Sequence, residues 1–211
     1  MIKLYLADIS ALCDPLEDST ILDTLPPKRQ EKVLKYKLAD DRKRCVGAGL
    51  IINKILCENN IDINSIRYGS NGKPYAEGIY FNAAHSGNFA FGVSSEKEIG
   101  CDVEIIKKPH LDIAKRFFTQ NEFDYISYSE NTSTAFYRLW TIKESYIKLS
   151  GEGLRTPLNS FEINIEGNNI SISEKGIKKD CYITQFEFKN HSFAICSLEQ
   201  PPSKIEFTDA L

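Results

Sequence analysis

The sequence predicts an α+β protein of two similar lobes, and three observations predict it. A helical stretch followed by short alternating strands occurs twice, over about residues 26–106 and again over about 111–199. Asn-Gly, Gly-Lys-Pro and Ser-Gly turn signals separate the strand runs of the first half, which reads as antiparallel pairing. The fragments "NFAFGVSS" and "HSFAICSL" are loosely alike and each follows the helices of its half, although two unrelated core strands would match as well over so few residues. At 211 residues, 42% of them hydrophobic, the chain can bury a real core; it is long for one small domain and short for two ordinary ones.

Taken in order, "IKLYLADI" alternates like a strand, and "PPKRQEKVLKY" starts a basic helix with prolines at its entry. A longer helix is expected from about Asp40 to Glu58, carrying Arg42, Lys43 and Arg44 on its first turns. Residues 66–106 change to period two and give several antiparallel strands. A helical stretch from about Leu111 to Ser150 is broken around "SENTST", and strands resume with "FEINIEG", "ISISE", "CYITQFEF" and "SFAICSLE".

A formal charge of −3 argues against a surface built to hold duplex nucleic acid, so any anion site must be local. The six cysteines form no C-x-x-C pair and read as reduced, buried thiols. Three histidines with unhelpful spacing make a zinc site unexpected. The N-terminus is unlike a signal peptide and no stretch is long and apolar enough to span a bilayer, which places the chain in the cytoplasm without a membrane partner.

"LWTIKESYIKLSGEGL" raises a specific question. At roughly 100° per residue, Phe136, Leu139, Trp140, Ile142, Tyr146, Ile147 and Leu149 fill one apolar arc, and Lys143 falls inside it. An ammonium there needs an anionic partner. In "IGCDVEI", strand period puts Asp102 and Glu104 on one face, opposite Ile99, Cys101, Val103 and Ile105. Two carboxylates on one face suit magnesium, which takes one or two of them together with substrate phosphates and waters. D-x-E alone more often marks a solvated strand face. Glu144, on the side of its helix that carries Thr141 and Lys148, adds a third carboxylate beside a lysine pair and shifts the reading toward a site.

The candidate cations are scattered. Lys28, Lys43, Arg44, Lys73 and Lys148 would each ordinarily be a solvated surface charge, and a histidine between strands such as His85 is more often structural than a ligand. Lys73, however, lies in an "NGKP" turn that can present it, and His85 lies in "NAAHSG" among small residues that let a ligand approach the backbone.

"FNAAHSG", "GCDVE", "FFTQNEF" and "WTIKESYIKLSGEGL", in this order and spacing and together with "PPKRQEK" and "NGKP", resemble the signature segments of the Sfp-type 4′-phosphopantetheinyl transferases, which activate nonribosomal peptide and polyketide synthetases. The likeness covers nearly the whole chain. It implies a pseudo-dimer of two α+β lobes, residues 1–100 and 101–211, with coenzyme A in the cleft between them. It also implies a magnesium-dependent holo-[acyl-carrier-protein] synthase that moves phosphopantetheine from coenzyme A to a serine of an apo peptidyl or acyl carrier protein, releasing adenosine 3′,5′-bisphosphate, and that acts as a monomer. Asp102, Glu104 and Glu144 match the metal ligands; Lys143 and Lys148 match lysines near the pyrophosphate. Lys28, Lys73 and His85 match residues at the nucleotide end, and either Lys43 or Arg44 matches a nucleotide-binding arginine. Ala84 stands where the family has serine, so that Ser86 or the backbone would replace its hydroxyl; Cys101 stands where an aliphatic residue is common. On this reading Glu144 is the general base and Lys148 steadies the developing charge.

Two other functions fit the same acids and lysines: a magnesium-dependent phosphohydrolase acting on a small nucleotide, and a non-catalytic module that binds carrier domains. The stretch "KKPHLDIAKRFFTQNEF" sets Leu111, Ile113, Phe117 and Phe118 beside Lys107, Lys108, Lys115 and Arg116, and is expected to border the docking site of an acidic carrier.

Overall fold

The structure is a computed structural model that describes residues 1–109, 111–167, 169–202 and 204–209, and the backbone alone at residue 154. The first strand, β1 (Lys3–Asp8), is buried on both faces. Tyr5 and Ala7 pack toward one layer, and Leu4 and Leu6 toward another. Two helices follow: α1 (Pro27–Lys35), with Pro27 in the first turn where no amide partner is lost, and α2 (Ala39–Glu58). The first strand run gives β2 (Arg67–Tyr68), β3 (Pro74–Tyr75), β4 (Tyr80–Ser86), β5 (Phe89–Ser95) and β6 (Ile99–Ile105). Three helices come next, α3 (Leu111–Phe117), α4 (Gln120–Tyr128) and α5 (Thr132–Ser150). The second run gives β7 (Phe161–Glu166), β8 (Asn169–Glu174), β9 (Ile177–Lys178), β10 (Tyr182–Phe188), β11 (His191–Ser197) and β12 (Phe207–Asp209).

Two sheets build the centre. In the first the strand order is β12-β1-β5-β4, and in the second it is β10-β11-β6. The segment β1–α2–β4–β5 pairs its strands in the order β1-β5-β4, and β6–α5–β10–β11 pairs its own as β6-β11-β10; all these pairings are antiparallel. The two loosely similar fragments of the sequence are the equivalent middle strands, β5 and β11, and both are buried along their whole length. Phe91 of β5 meets Phe193 of β11 edge to face at 5.2 Å, inside an apolar layer that Ile99, Cys101 and Val103 complete. Helix α2 covers the other face of the first sheet, and α5 that of the second. The predicted α+β class is what the chain adopts.

One glycine sets the distance between α5 and β6. A Cβ at Gly100 would lie 2.2 Å from the Ser145 carbonyl oxygen and 2.3 Å from the Leu149 amide nitrogen, so no other residue lets the helix lie so close. That approach brings Asp102, two residues along β6, against Lys148. Helix α5 then stops at Gly151, whose φ of 71° caps it in the left-handed region.

The structure corrects the reading in three places. The helical stretch breaks a second time, at Thr119, which caps α4 in a reciprocal box with Glu122. The terminal strand β12, too short to show as a pattern, adds parallel to β1. The cysteines are all free, but Cys13 and Cys57 are exposed, so only Cys45, Cys101 and Cys196 are the buried thiols expected. Among the described residues no helix is long and apolar enough to cross a membrane.

Candidate active site

A cleft of about 1000 Å³ opens where β4, β6 and α5 meet α1 and the turn that follows α5. Its floor carries Ala83, Ala84 and His85 from β4, Asp102 and Glu104 from β6, and Glu144 and Lys148 from α5; Arg29 and Lys32 of α1 stand at one end. Toward the other end Phe117, Trp140, Pro157 and Leu158 give a mostly apolar wall, with Arg116, Thr156 and Asn159 beside them.

The acids occupy the middle. Asp102 is 4% exposed, and its Oδ1 accepts a 2.6 Å bond from the Lys148 ammonium. Its Oδ2 is buried with no hydrogen-bond partner among the described residues. Burial raises the Asp102 pKa, and the Lys148 charge works against that rise. Burial and then the Asp102 charge push Glu104 up to about 7, with Glu144 adding to the effect. The Glu144 carboxyl is raised by the same two causes in the same order. Three acids thus repel one another in one space, with Lys148 the cation paired to them.

Cations gather at the other side of the floor. Burial pushes His85 down to about 4, and the charges of Arg29, Lys32, Lys148 and Arg44 push it further the same way, so its ring is neutral at pH 7. Burial and Arg29 likewise lower the Lys32 pKa. A half-buried histidine held neutral first by burial and then by the charges of Arg29, Lys32, Lys148 and Arg44 marks a positive end, ready for a polyanion.

Several expected residues stand elsewhere. Lys143 does not reach the cleft: it is fully buried, pairs with Glu122 at 2.8 Å, and donates to the carbonyls of Leu158 at 2.7 Å and Phe161 at 2.9 Å. Its ammonium has three protons and all are used. Burial lowers its pKa, and Glu122 opposes that. The answer to the buried lysine is therefore Glu122, not Glu144 and a phosphate. Lys73 is also committed, bonding Glu98 at 2.9 Å and the Leu149 carbonyl at 3.1 Å, where a cation suits a helix C-terminus. Lys28 sits over the Tyr68 ring at 4.2 Å in an adjoining hollow of about 250 Å³ that shares Arg29 and Lys32 with the cleft. Of the two candidates on α2, Arg44 is the one whose charge reaches His85, while the charge of Lys43 acts on Asp14. Ser86 donates to Glu104 at 2.6 Å and accepts from the Ile105 amide at 3.1 Å, so it orients a carboxylate and does not stand in for the missing serine hydroxyl at position 84. Cys101 packs as a small apolar residue, its thiol pushed up to about 12 by burial. His110 lies outside the described residues.

Arg29 and Lys32 were passed over in the sequence. Their signal was spacing: they lie three apart on α1 and so share one face, which the structure turns toward the cleft while Lys32 stays exposed.

Among the described residues no group of three or more His, Cys, Asp or Glu side chains is drawn tightly enough to form a metal cage. The donor set nonetheless fits one hard cation completed by oxygens from a substrate, because a buried carboxylate oxygen is left unpartnered beside two further acids of raised pKa.

Known proteins are similar to this chain along most of its length. A family model described as the 4′-phosphopantetheinyl transferase superfamily matches residues 98–196, which contain β6, α5 and all of β11 but its last residue. The chain is 29% identical over 191 residues to the 4′-phosphopantetheinyl transferase Sfp of Bacillus subtilis, covering 86% of this chain and 85% of that one. It is 32% identical to the 4′-phosphopantetheinyl transferase gsp of Aneurinibacillus migulanus, over 86% of this chain and 79% of that one. With psf-1 of Bacillus pumilus it shares 30% identity, over 93% and 91%.

Proposed function

Since the chain belongs to the 4′-phosphopantetheinyl transferases, we propose that it transfers the phosphopantetheine group of coenzyme A to a serine of an apo peptidyl or acyl carrier protein, and that the cleft is where it does so. The observation that carries this reading is the pairing of a positive end, at Arg29, Lys32 and neutral His85, with three acids and Lys148 in the same cleft. The 3′-phosphate and pyrophosphate of coenzyme A supply the matching anions. The hollow beside Tyr68 and Lys28 suits the base, which has a face to stack. Residues 1–100 and 101–211 are the two lobes that close on the substrate.

In the reaction the carrier serine oxygen forms a bond to the β-phosphorus of coenzyme A. The bond from that phosphorus to the bridging oxygen breaks, and adenosine 3′,5′-bisphosphate leaves. Glu144 takes the serine proton; burial and the Asp102 charge raise its carboxyl and so improve it as a base. Lys148, held by Asp102, keeps a positive charge beside the pyrophosphate as negative charge shifts toward the leaving group. Asp102, Glu104 and Glu144 would hold magnesium, which supplies charge neutralisation at the pyrophosphate when bound. Ser86 keeps the Glu104 carboxylate turned into the cleft. The enzyme acts in the cytoplasm as a monomer of the holo-[acyl-carrier-protein] synthase class, with no nucleic acid or membrane as partner.

The test is to incubate the protein with coenzyme A, magnesium and an apo carrier, and then to weigh the carrier. A gain of one phosphopantetheine group supports transfer. Breakdown of coenzyme A with the carrier unchanged would instead support a hydrolase, and neither change would leave a binding module.

A further inference from the structure

Lys143 and Glu122 form a fully buried ion pair that no step of the transfer uses. Such a pair is costly to desolvate and stabilises a fold no better than apolar side chains of the same size. Its bonds, however, converge on one place. Lys143 on α5 holds the carbonyls of Leu158 and Phe161. Glu122 on α4 accepts the amides of Thr119 at 2.8 Å and Ile163 at 2.7 Å. The tethered backbone adjoins the apolar part of the cleft through two segments: Leu158 lines it together with Pro157, and Thr119 lies two residues after Phe117, which lines it too. Trp140, one helical turn before Lys143, completes that wall.

We propose that the Lys143–Glu122 pair is a positioning device that fixes the apolar end of the cleft, and that the uncharged pantetheine arm of coenzyme A lies against this wall. The inference rests on the transferase reading. The nucleotide and its phosphates belong at the cationic end, and the arm, with its methyl groups and neutral amides, is the part of the substrate that suits aromatic rings. Four backbone groups from three segments meet at one charged pair, so a change at the pair moves the wall while Arg29, Lys32 and His85, on other elements, stay where they are.

The experiment compares binding of coenzyme A with binding of adenosine 3′,5′-bisphosphate, which lacks the arm, by calorimetry without carrier. In the wild type coenzyme A should bind the tighter. In Lys143→Met/Glu122→Gln, which removes both charges together, coenzyme A should lose about tenfold or more of its affinity as the wall loses its preorganisation, and the bisphosphate should be unchanged. Phe117→Ser changes the wall at an exposed position and should reproduce the selective loss whether or not the double variant folds. Equal losses for both ligands, no loss for either, a wild type with no preference for coenzyme A, or an unaffected Phe117→Ser would each overturn the proposal. A wild-type protein that bound neither ligand would fail the transferase reading instead, and the pattern tells the two failures apart.

Discussion

His85 ties the charge of the cleft to a measurable stability. Its folded pKa of about 4 lies below the ordinary histidine value of 6.5, so between those limits the unfolded chain binds the proton that the folded one refuses. Stability is then fully present above pH 6.5 and is lost as pH falls through 4. His85→Gln should remove this dependence: its melting temperature, followed from pH 7 to pH 4, should fall less steeply than that of the wild type. Parallel curves would mean that neither burial nor the neighbouring charges lower the folded pKa of this ring. Asp102 makes the complementary case, because one of its carboxylate oxygens is buried with no hydrogen-bond partner among the described residues, as the proposed chemistry requires. Asp102→Asn should lower transfer by about two orders of magnitude or more, in line with loss of a group acting on transition-state charge. Its melting temperature should change little, since the amide keeps the volume. Transfer at the wild-type rate would return Asp102 to the role of a solvated strand face. At this scale the sequence read the acids well, because period two in "GCDVE" fixes which side chains share a face. It read the cations less well, because which of Lys28, Arg29 and Lys32 faces a cleft depends on how α1 rotates against its neighbours, which no local pattern records.

Helix α5 supplies both chemistry and architecture, and its two lysines divide the work. Lys148 reaches Asp102 in the cleft, and Lys143, five residues earlier, points to the other side of the helix and into the core of the second half. The apolar arc in the sequence correctly showed that Lys143 needs an anion. It could not show which one, because Glu122 stands 21 residues away on α4 and only the packing of α4 against α5 brings it near. The "T-x-x-E" of "TQNE" is visible as a capping box, and the second use of that glutamate is not. Lys143→Met alone should therefore cost about 3 kcal/mol or more in urea unfolding, since Glu122 would stay buried without its partner, whereas Lys143→Met/Glu122→Gln should recover most of that loss. A stable single variant would mean that the pair is not coupled as described.

For the molecule as a whole, the order β-α-β-β seen twice explains why the halves of the sequence rhyme only faintly. Equivalent strands β5 and β11 need apolar residues of matching size on both faces, and that constraint is met by many sequences. The small sheet β7-β8-β9 stands where the first half has only the two-stranded β2-β3, and the terminal strand β12 joins β1 from the far end of the chain; both blur the repeat further. Outside the cleft, α3 leaves Leu111 and Phe117 exposed next to Lys115 and Arg116. That surface, continuous with the apolar end of the cleft through Phe117 and Arg116, suits an acidic carrier docking with its serine toward Glu144. Lys115→Glu should raise the KM for the carrier by about tenfold and leave the KM for coenzyme A unchanged, because a rim charge acts mainly on association with its own partner. Equal changes in both constants would place the charge in substrate binding instead.

On the proposed function, one cleft holds both the anion site and the base that turns binding into transfer. The most direct test follows the intact mass of an apo carrier over time, with coenzyme A and magnesium, for the wild type and for Glu144→Gln, each shown beforehand to bind coenzyme A. The wild type should add one phosphopantetheine group per carrier. Glu144→Gln should do so about two orders of magnitude more slowly with coenzyme A binding retained, as expected when a proton acceptor is removed. A Glu144→Gln protein that modified the carrier at the wild-type rate would contradict the account, for the reacting serine would then have no need of this carboxylate.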